Sequence, residues 1–125
     1  MVYRVFEIDS VTDDPRRLTQ AVLQITRMLD LYHAELARIL GIKCDDIGRL
    51  ANARQCLQPD TDAWQQALLF VRFYQLLFNR LDGDGVAMRH WLRRSDRQLD
   101  GVPHLLIVDE GRLCEVVARL DHDTG

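Results

Sequence analysis

The residues of this chain best suited to metal or nucleophilic chemistry are four histidines, His33, His90, His104 and His122, and three cysteines, Cys44, Cys56 and Cys114. A locally built zinc site needs two such ligands a few residues apart. No His or Cys here lies within two to five residues of another, so the spacing argues against a metal. The odd number and wide spacing of the cysteines argue against a disulfide framework and fit reduced thiols in a cytoplasmic protein. Asp82-Gly83-Asp84-Gly85 looks like half of a calcium loop, but the distal Glu at EF-hand spacing is missing. Read instead as a turn between helices, the same stretch is a lone G-x-G and not a phosphate-binding loop. There is no G-x-S-x-G elbow, no P-loop and no dinucleotide fingerprint. The expectation is a protein without catalysis and without a cofactor.

Charge and hydropathy narrow the class further. The chain has 125 residues, 47% apolar and 28% charged, with a net charge of −3. These are the values of a soluble globular domain, and they argue against a generally basic nucleic-acid-coating protein. The longest strongly apolar run, Ala67 to Phe78, is broken by Arg72 and Gln75 and is too short to span a bilayer. The N-terminus carries Glu7 and Asp9, unlike a signal peptide.

The elements that must position any site are helical. Residues 2–8 alternate enough to suggest a short strand or an extended arm. Asp13-Asp14-Pro15 is a helix-start signal, and Leu18, Val22, Ile25 and Leu29 continue it at helical spacing to about residue 30. Further helices are expected at about 33–40, 44–52, 61–80, 86–94, 103–107 and 111–120, with 121–125 as a frayed end. The fourth is apolar on most of its faces in its second half, which marks a central helix. The expected architecture is all-α: an N-terminal arm or strand (1–14), a helix-turn-helix subdomain (15–60) and a second small helical subdomain (61–125).

Two features within these elements carry candidate functions. The segment 33–52 has a short helix, Gly41 as a stop, and a second short helix, which is the helix-turn-helix pattern. Ala37 lets the two helices cross closely, and Ile42 is expected to plug the turn from inside. The second helix would then enter the major groove of DNA, with Cys44, Asp45, Gly48 and Arg49 facing bases or phosphates and Lys43 and Arg54 holding the backbone. Asp45 and Asp46 in its first turn suit the helix dipole but repel phosphates, so a helical hairpin within a core is the competing reading. The second feature is the basic cluster Arg89, Arg93, Arg94 and Arg97. Arg89 and Arg93 share a helix face. The cluster reads either as a solvated face or as an electrostatic docking patch for an acidic partner or anionic ligand.

With these elements placed, residues 18–120 resemble the Xre/MbcA/ParS-type antitoxins of bacterial type II toxin–antitoxin pairs. The N-terminal half carries A-E-L-A-R-I-L-G-I (34–42) and R-L (49–50). The C-terminal half carries Ala87, Trp91 and Leu92, then Leu99, Gly101 and Pro103, then Leu105 and Leu106, then Glu110, Gly111, Val116 and Leu120, in the family's order and spacing. Ser95-Asp96 stands where the family usually has Asn-Pro-like residues. Asp100-Gly101 stands where Gly-Gly is frequent, and Asp121-His122-Asp123 replaces an Arg-Ile-Glu-like tail. The resemblance implies an antitoxin that covers the active-site entrance of a toxin of RES or related NAD-consuming type, usually as a dimer, and represses its own operon. It places the toxin-facing surface on Trp91, Leu99, Gly101, Pro103 and the tail at Asp121 and His122. Arg93, Arg94 and Arg97 are the side chains nearest to hand for contact. The expected partners are thus a cognate toxin protein and operator DNA, with the chain as a homodimer and no membrane. The alternative is a stand-alone helix-turn-helix regulator without a toxin.

Overall fold

A computed structural model of the chain describes residues 14–124, and side chains as far as His122. The strand or arm expected at residues 2–8 lies outside the described residues. Seven helices follow one another: α1 (Pro15–Met28), α2 (His33–Leu40), α3 (Cys44–Ala51), α4 (Asp62–Arg80), α5 (Gly85–Leu92), α6 (Pro103–Val108) and α7 (Leu113–Thr124). Among the described residues there is no strand, only an isolated bridge between Asp96 and Gly101, and the fold is all-α as expected.

Local chemistry sets the helix starts. Asp14 accepts hydrogen bonds from the Arg16 and Arg17 backbone N–H groups at 2.9 and 3.4 Å, and Pro15 occupies the first turn, where no N–H is needed. Thr61 caps α4 by accepting from the Trp64 N–H at 3.1 Å, and Asp84 caps α5 through the Ala87 N–H at 3.1 Å.

Helix ends follow a repeated device that composition did not advertise. α1, α2, α3 and α4 each end on a residue in the left-handed region: Asp30 (φ 58°), Gly41 (φ 72°), Ala53 (φ 58°) and Asp82 (φ 54°). In each case the next N–H reaches back to a carbonyl five residues earlier, as in Leu31 to Thr26 at 2.9 Å and Arg54 to Arg49 at 3.0 Å. This is why α1 stops at Met28 rather than near residue 30. Ala53 is the costly member, because its Cβ strains a conformation that glycine adopts freely. Ala53→Gly is therefore expected to stabilise the protein by about 0.5–1 kcal/mol, after the added freedom of the unfolded chain is discounted. Thermal unfolding followed by circular dichroism should show a rise of roughly 2–4 °C.

α4 is the pillar. Trp64, Ala67, Phe70, Val71, Phe73, Tyr74, Leu76 and Leu77 are all buried, too many for one stripe, and α1, α2, α5 and α7 pack around it. All seven helices feed one contiguous cluster of buried side chains, from Leu18 and Ile25 on α1, through Leu36 and Ile47, to Val116 and Leu120 on α7. The end expected to fray is helical as far as it is described. α7 continues through Thr124, and Asp121 Oδ1 accepts from Arg72 Nη2 on α4 at 3.0 Å, which ties the last turn to the pillar.

Candidate functional site

The first surface is built on α2 and α3, two eight-residue helices joined by Gly41, Ile42 and Lys43. Gly41 is needed for its positive φ rather than for space, since a Cβ there would meet nothing within 4 Å. Ile47 and Leu50 bury the inner face of α3. Cys44, Asp45 and Arg49 lie on its exposed face, Gly48 is half-exposed with open space beyond it, and Lys43 and Arg54 are exposed at the two ends. The structure thus brings the six residues read as DNA-facing to one helix and its flanks. Ile42 packs on the core from the turn but stays half-buried, and it walls a small apolar cleft with Leu50, Cys56, Leu57 and Ala63.

Arg49, one of the residues expected to face bases or phosphates, is engaged elsewhere. Its Nη2 lies 2.7 Å from Asp46 Oδ1, one turn back on the same helix. That hydrogen bond holds the Asp46 carboxyl below the usual carboxylate range. Asp46 is therefore charged at neutral pH, and acid that protonates it weakens the pair. From Lys43 to Ala51 the charges cancel, with Lys43 and Arg49 against Asp45 and Asp46.

The second surface runs from the end of α5 to the start of α6. Trp91 is half-buried, its ring 6.3 Å from that of Phe73 and tilted by 39°. Its indole Nε1 is buried and has no hydrogen-bond partner among the described residues. The connection beyond it is a closed turn. The Asp96 N–H donates to the Gly101 carbonyl at 2.8 Å, and Asp96 Oδ1 accepts from the Gln98 and Leu99 N–H groups at 2.9 and 3.2 Å. Leu99 packs half-buried on the core. A Cβ on Gly101 would come within 3.2 Å of Leu106, so this glycine lets the turn sit down on α6. Pro103 is buried in the first turn of α6. The positions at which the chain leaves the antitoxin pattern, Ser95-Asp96 and Asp100-Gly101, are the two sides of this turn.

The basic cluster divides. Arg89 Nη1 donates to the Met28 carbonyl at 3.2 Å, and Arg93 Nη2 donates to the Leu29 and Asp30 carbonyls at 3.0 and 2.7 Å. Both guanidiniums thus sit on the carbonyl end of α1, where the helix dipole favours a cation. Arg94 and Arg97 are exposed, and their side chains have no partner among the described residues. On the tail, Asp121 is engaged with Arg72 and His122 is exposed.

Sequence reasoning missed the polar links between α2 and α6. His104 Nε2 lies 2.5 Å from Glu35 Oε2, with both side chains about four-fifths buried, and Glu35 Oε1 accepts from the Tyr32 N–H at 2.9 Å. Arg38 Nη1 meets Asp109 Oδ1 at 2.6 Å. These partners are about seventy residues apart, and no periodicity signals them. Among the described residues no three of His, Cys, Asp and Glu come together as metal ligands, and no helix is long and apolar enough to cross a membrane. No family model matches the sequence, and no curated protein matches it.

Proposed function

We propose that this chain is an antitoxin-like interaction protein. It neutralises a toxin of RES or related NAD-consuming type by covering its active site, without catalysis of its own, as a cytoplasmic homodimer that also binds its operator through α3. One observation carries the reading. The turn between α5 and α6 is closed by the Asp96–Gly101 backbone pair and the Asp96 carboxylate, it holds out Arg97, whose side chain has no partner among the described residues, and it is followed by Leu105, 45% exposed on α6. A hydrogen-bonded turn that presents a cation, followed within the same connection by an exposed apolar residue, is suited to docking a protein. Its test is co-expression with the product of the neighbouring gene. The neighbour should be toxic alone and harmless with this chain, and Arg97→Glu should weaken the rescue without lowering the melting temperature. A neighbour that is harmless alone, or not rescued, overturns the proposal.

A second reading, a helix-turn-helix regulator with no toxin, is favoured by the open outer face of α3. On this reading Asp46 restrains binding. Asp46→Asn removes one anion from the helix and frees Arg49, and is expected to tighten binding to the chain's own promoter duplex about 3–10-fold at low salt. Arg49→Ala should abolish the gain. Fluorescence anisotropy decides, and absence of binding by both wild type and Asp46→Asn at low salt eliminates this reading.

A further inference from the structure

The charge balance of α3 leaves a deficit. Attraction to nucleic acid comes chiefly from cations placed on phosphates, yet α3 and its cap carry no net charge. If α3 meets DNA, Lys43 and Arg54 at its ends are few cations for the backbone, and further ones would come from elsewhere in the fold.

They are concentrated at the α1–α2 turn. Arg27 is exposed in the last turn of α1. Arg93 is brought to the same turn by its bonds to the Leu29 and Asp30 carbonyls, and Arg94 follows it in the chain. Tyr32 and His33 start α2 there, and Tyr32 is the most exposed large apolar residue described, at 76%. The one acid within the turn is Asp30. The side chains of Arg27 and Arg94 have no partner among the described residues. Arg27 and Arg94 are thus cations that no interaction among the described residues uses, whereas Arg93 is engaged by the α1 carbonyls and Glu35, bonded to the Tyr32 N–H, adds a mostly buried acid nearby. Its place matters as much as its charge. In a docked helix-turn-helix the first helix of the motif crosses the phosphate backbone while the second lies in the groove. The turn that feeds α2 is where the C-terminal half of the chain has been clamped.

We infer that Arg27, Arg93 and Arg94, flanking Tyr32 and His33, form a contact for the phosphate backbone of duplex DNA. The C-terminal half thereby contributes to DNA binding through the end of α5. This rests on the reading of α3 as a DNA-facing helix, and it moves Arg93 and Arg94 from the toxin-facing surface to the DNA-facing one. An acidic protein surface is the competing occupant. The position of Arg27 and Arg93 at the turn that starts α2 favours DNA.

The test uses the full chain and two labelled duplexes of about three helical turns, one from the region upstream of its own gene and one of mixed sequence. Arg27→Ala and Arg94→Ala are chosen because neither side chain has an internal bond to lose. Each should weaken binding roughly 3–10-fold on both duplexes alike, and each should make the slope of log affinity against log salt shallower by about one. Arg94→Lys should restore most of the loss. Wild-type binding with unchanged affinity and slope in both variants overturns the inference and leaves the α3 reading standing. Failure of the wild type to bind either duplex at low salt overturns both. Variants that bind DNA normally but no longer neutralise the neighbouring toxin assign the patch to a protein partner and overturn the inference.

Discussion

Phe73→Ala is expected to destabilise the protein by about 3–5 kcal/mol, a large share of the roughly 5–15 kcal/mol that holds a domain of this size. Phe73 is fully buried in the middle of α4. It stacks on Phe70 with ring centroids 6.3 Å apart and planes within 14°, and on its other side it meets Trp91 of α5. Removing the ring takes away its burial and leaves a cavity that α4, held by α1, α2, α5 and α7, is poorly placed to collapse. Phe73→Leu fills most of that volume and is expected to cost under about 1.5 kcal/mol. Urea unfolding followed by tryptophan emission would separate the two. With a slope of about 2 kcal/mol per molar, the alanine variant should lose about 1.5–2.5 M in midpoint. A loss below about 1 kcal/mol would show that α4 is not the centre of the core. Because Trp91 packs directly on Phe73, the alanine variant should also shift the native emission to longer wavelength, which links the pillar to the second surface.

The helices themselves were legible because their signals are local. Asp14-Pro15, Gly41 and Thr61 mark boundaries through their own backbone preferences, and the spacing of Leu18, Val22, Ile25 and Leu29 needs no knowledge of what they face. The end of α1 was less legible, since Asp30, which takes the left-handed conformation there, is not a residue a sequence marks as a helix stop, whereas the ends expected for α3 and α4 fall within a residue of those found. The candidate surfaces were legible in outline only. Cys44, Asp45 and Arg49 share the outer face of α3 because Ile47 and Leu50 fix the inner one. Their charge state was not legible, because whether Arg49 faces DNA or Asp46 depends on a rotamer. Arg93 shows the same limit more sharply. Its spacing from Arg89 places both on one face of α5, but what that face meets is the end of α1, more than sixty residues earlier. A contact between a side chain and a distant carbonyl leaves no pattern in the sequence.

These long-range links differ in weight. The Arg38–Asp109 pair is exposed on both sides, and solvent screening leaves it a fraction of a kcal/mol. Glu35 and His104 are mostly buried, and the other Glu35 oxygen accepts from the Tyr32 N–H, so they fix where α6 sits against α2 more firmly. The Arg89 and Arg93 bonds to α1 act at a third point. α2 and the turn that feeds it are thus held by α5 and α6 together. The second surface is joined to the helix pair by three sets of bonds.

The stretch behind α3 depends on a single hydroxyl. Thr19 is almost fully buried on α1. Its Oγ1 donates to the Pro15 carbonyl at 2.7 Å and accepts from the Leu57 N–H at 2.9 Å. Leu57 is itself buried, in the loop that leads from α3 to α4. Thr19→Val keeps the shape and the helix propensity but removes the only acceptor for that N–H, and an unsatisfied buried donor costs about 1–3 kcal/mol. Thr19→Ser keeps the oxygen and loses one methyl, worth about 0.8 kcal/mol. The valine variant should therefore be the less stable of the two, although it is the more apolar. The loss should be local as well as global. Exchange of the Leu57 amide with solvent should accelerate about tenfold or more in the valine variant, since 1.4 kcal/mol is a factor of ten in an opening equilibrium. Because Leu57 walls the cleft beside Ile42 and Leu50, the outer face of α3 should then be less firmly held, and binding to promoter duplex should weaken with it. A valine variant as stable as the serine variant, with Leu57 exchange unchanged, would show that the loop is held by apolar packing alone.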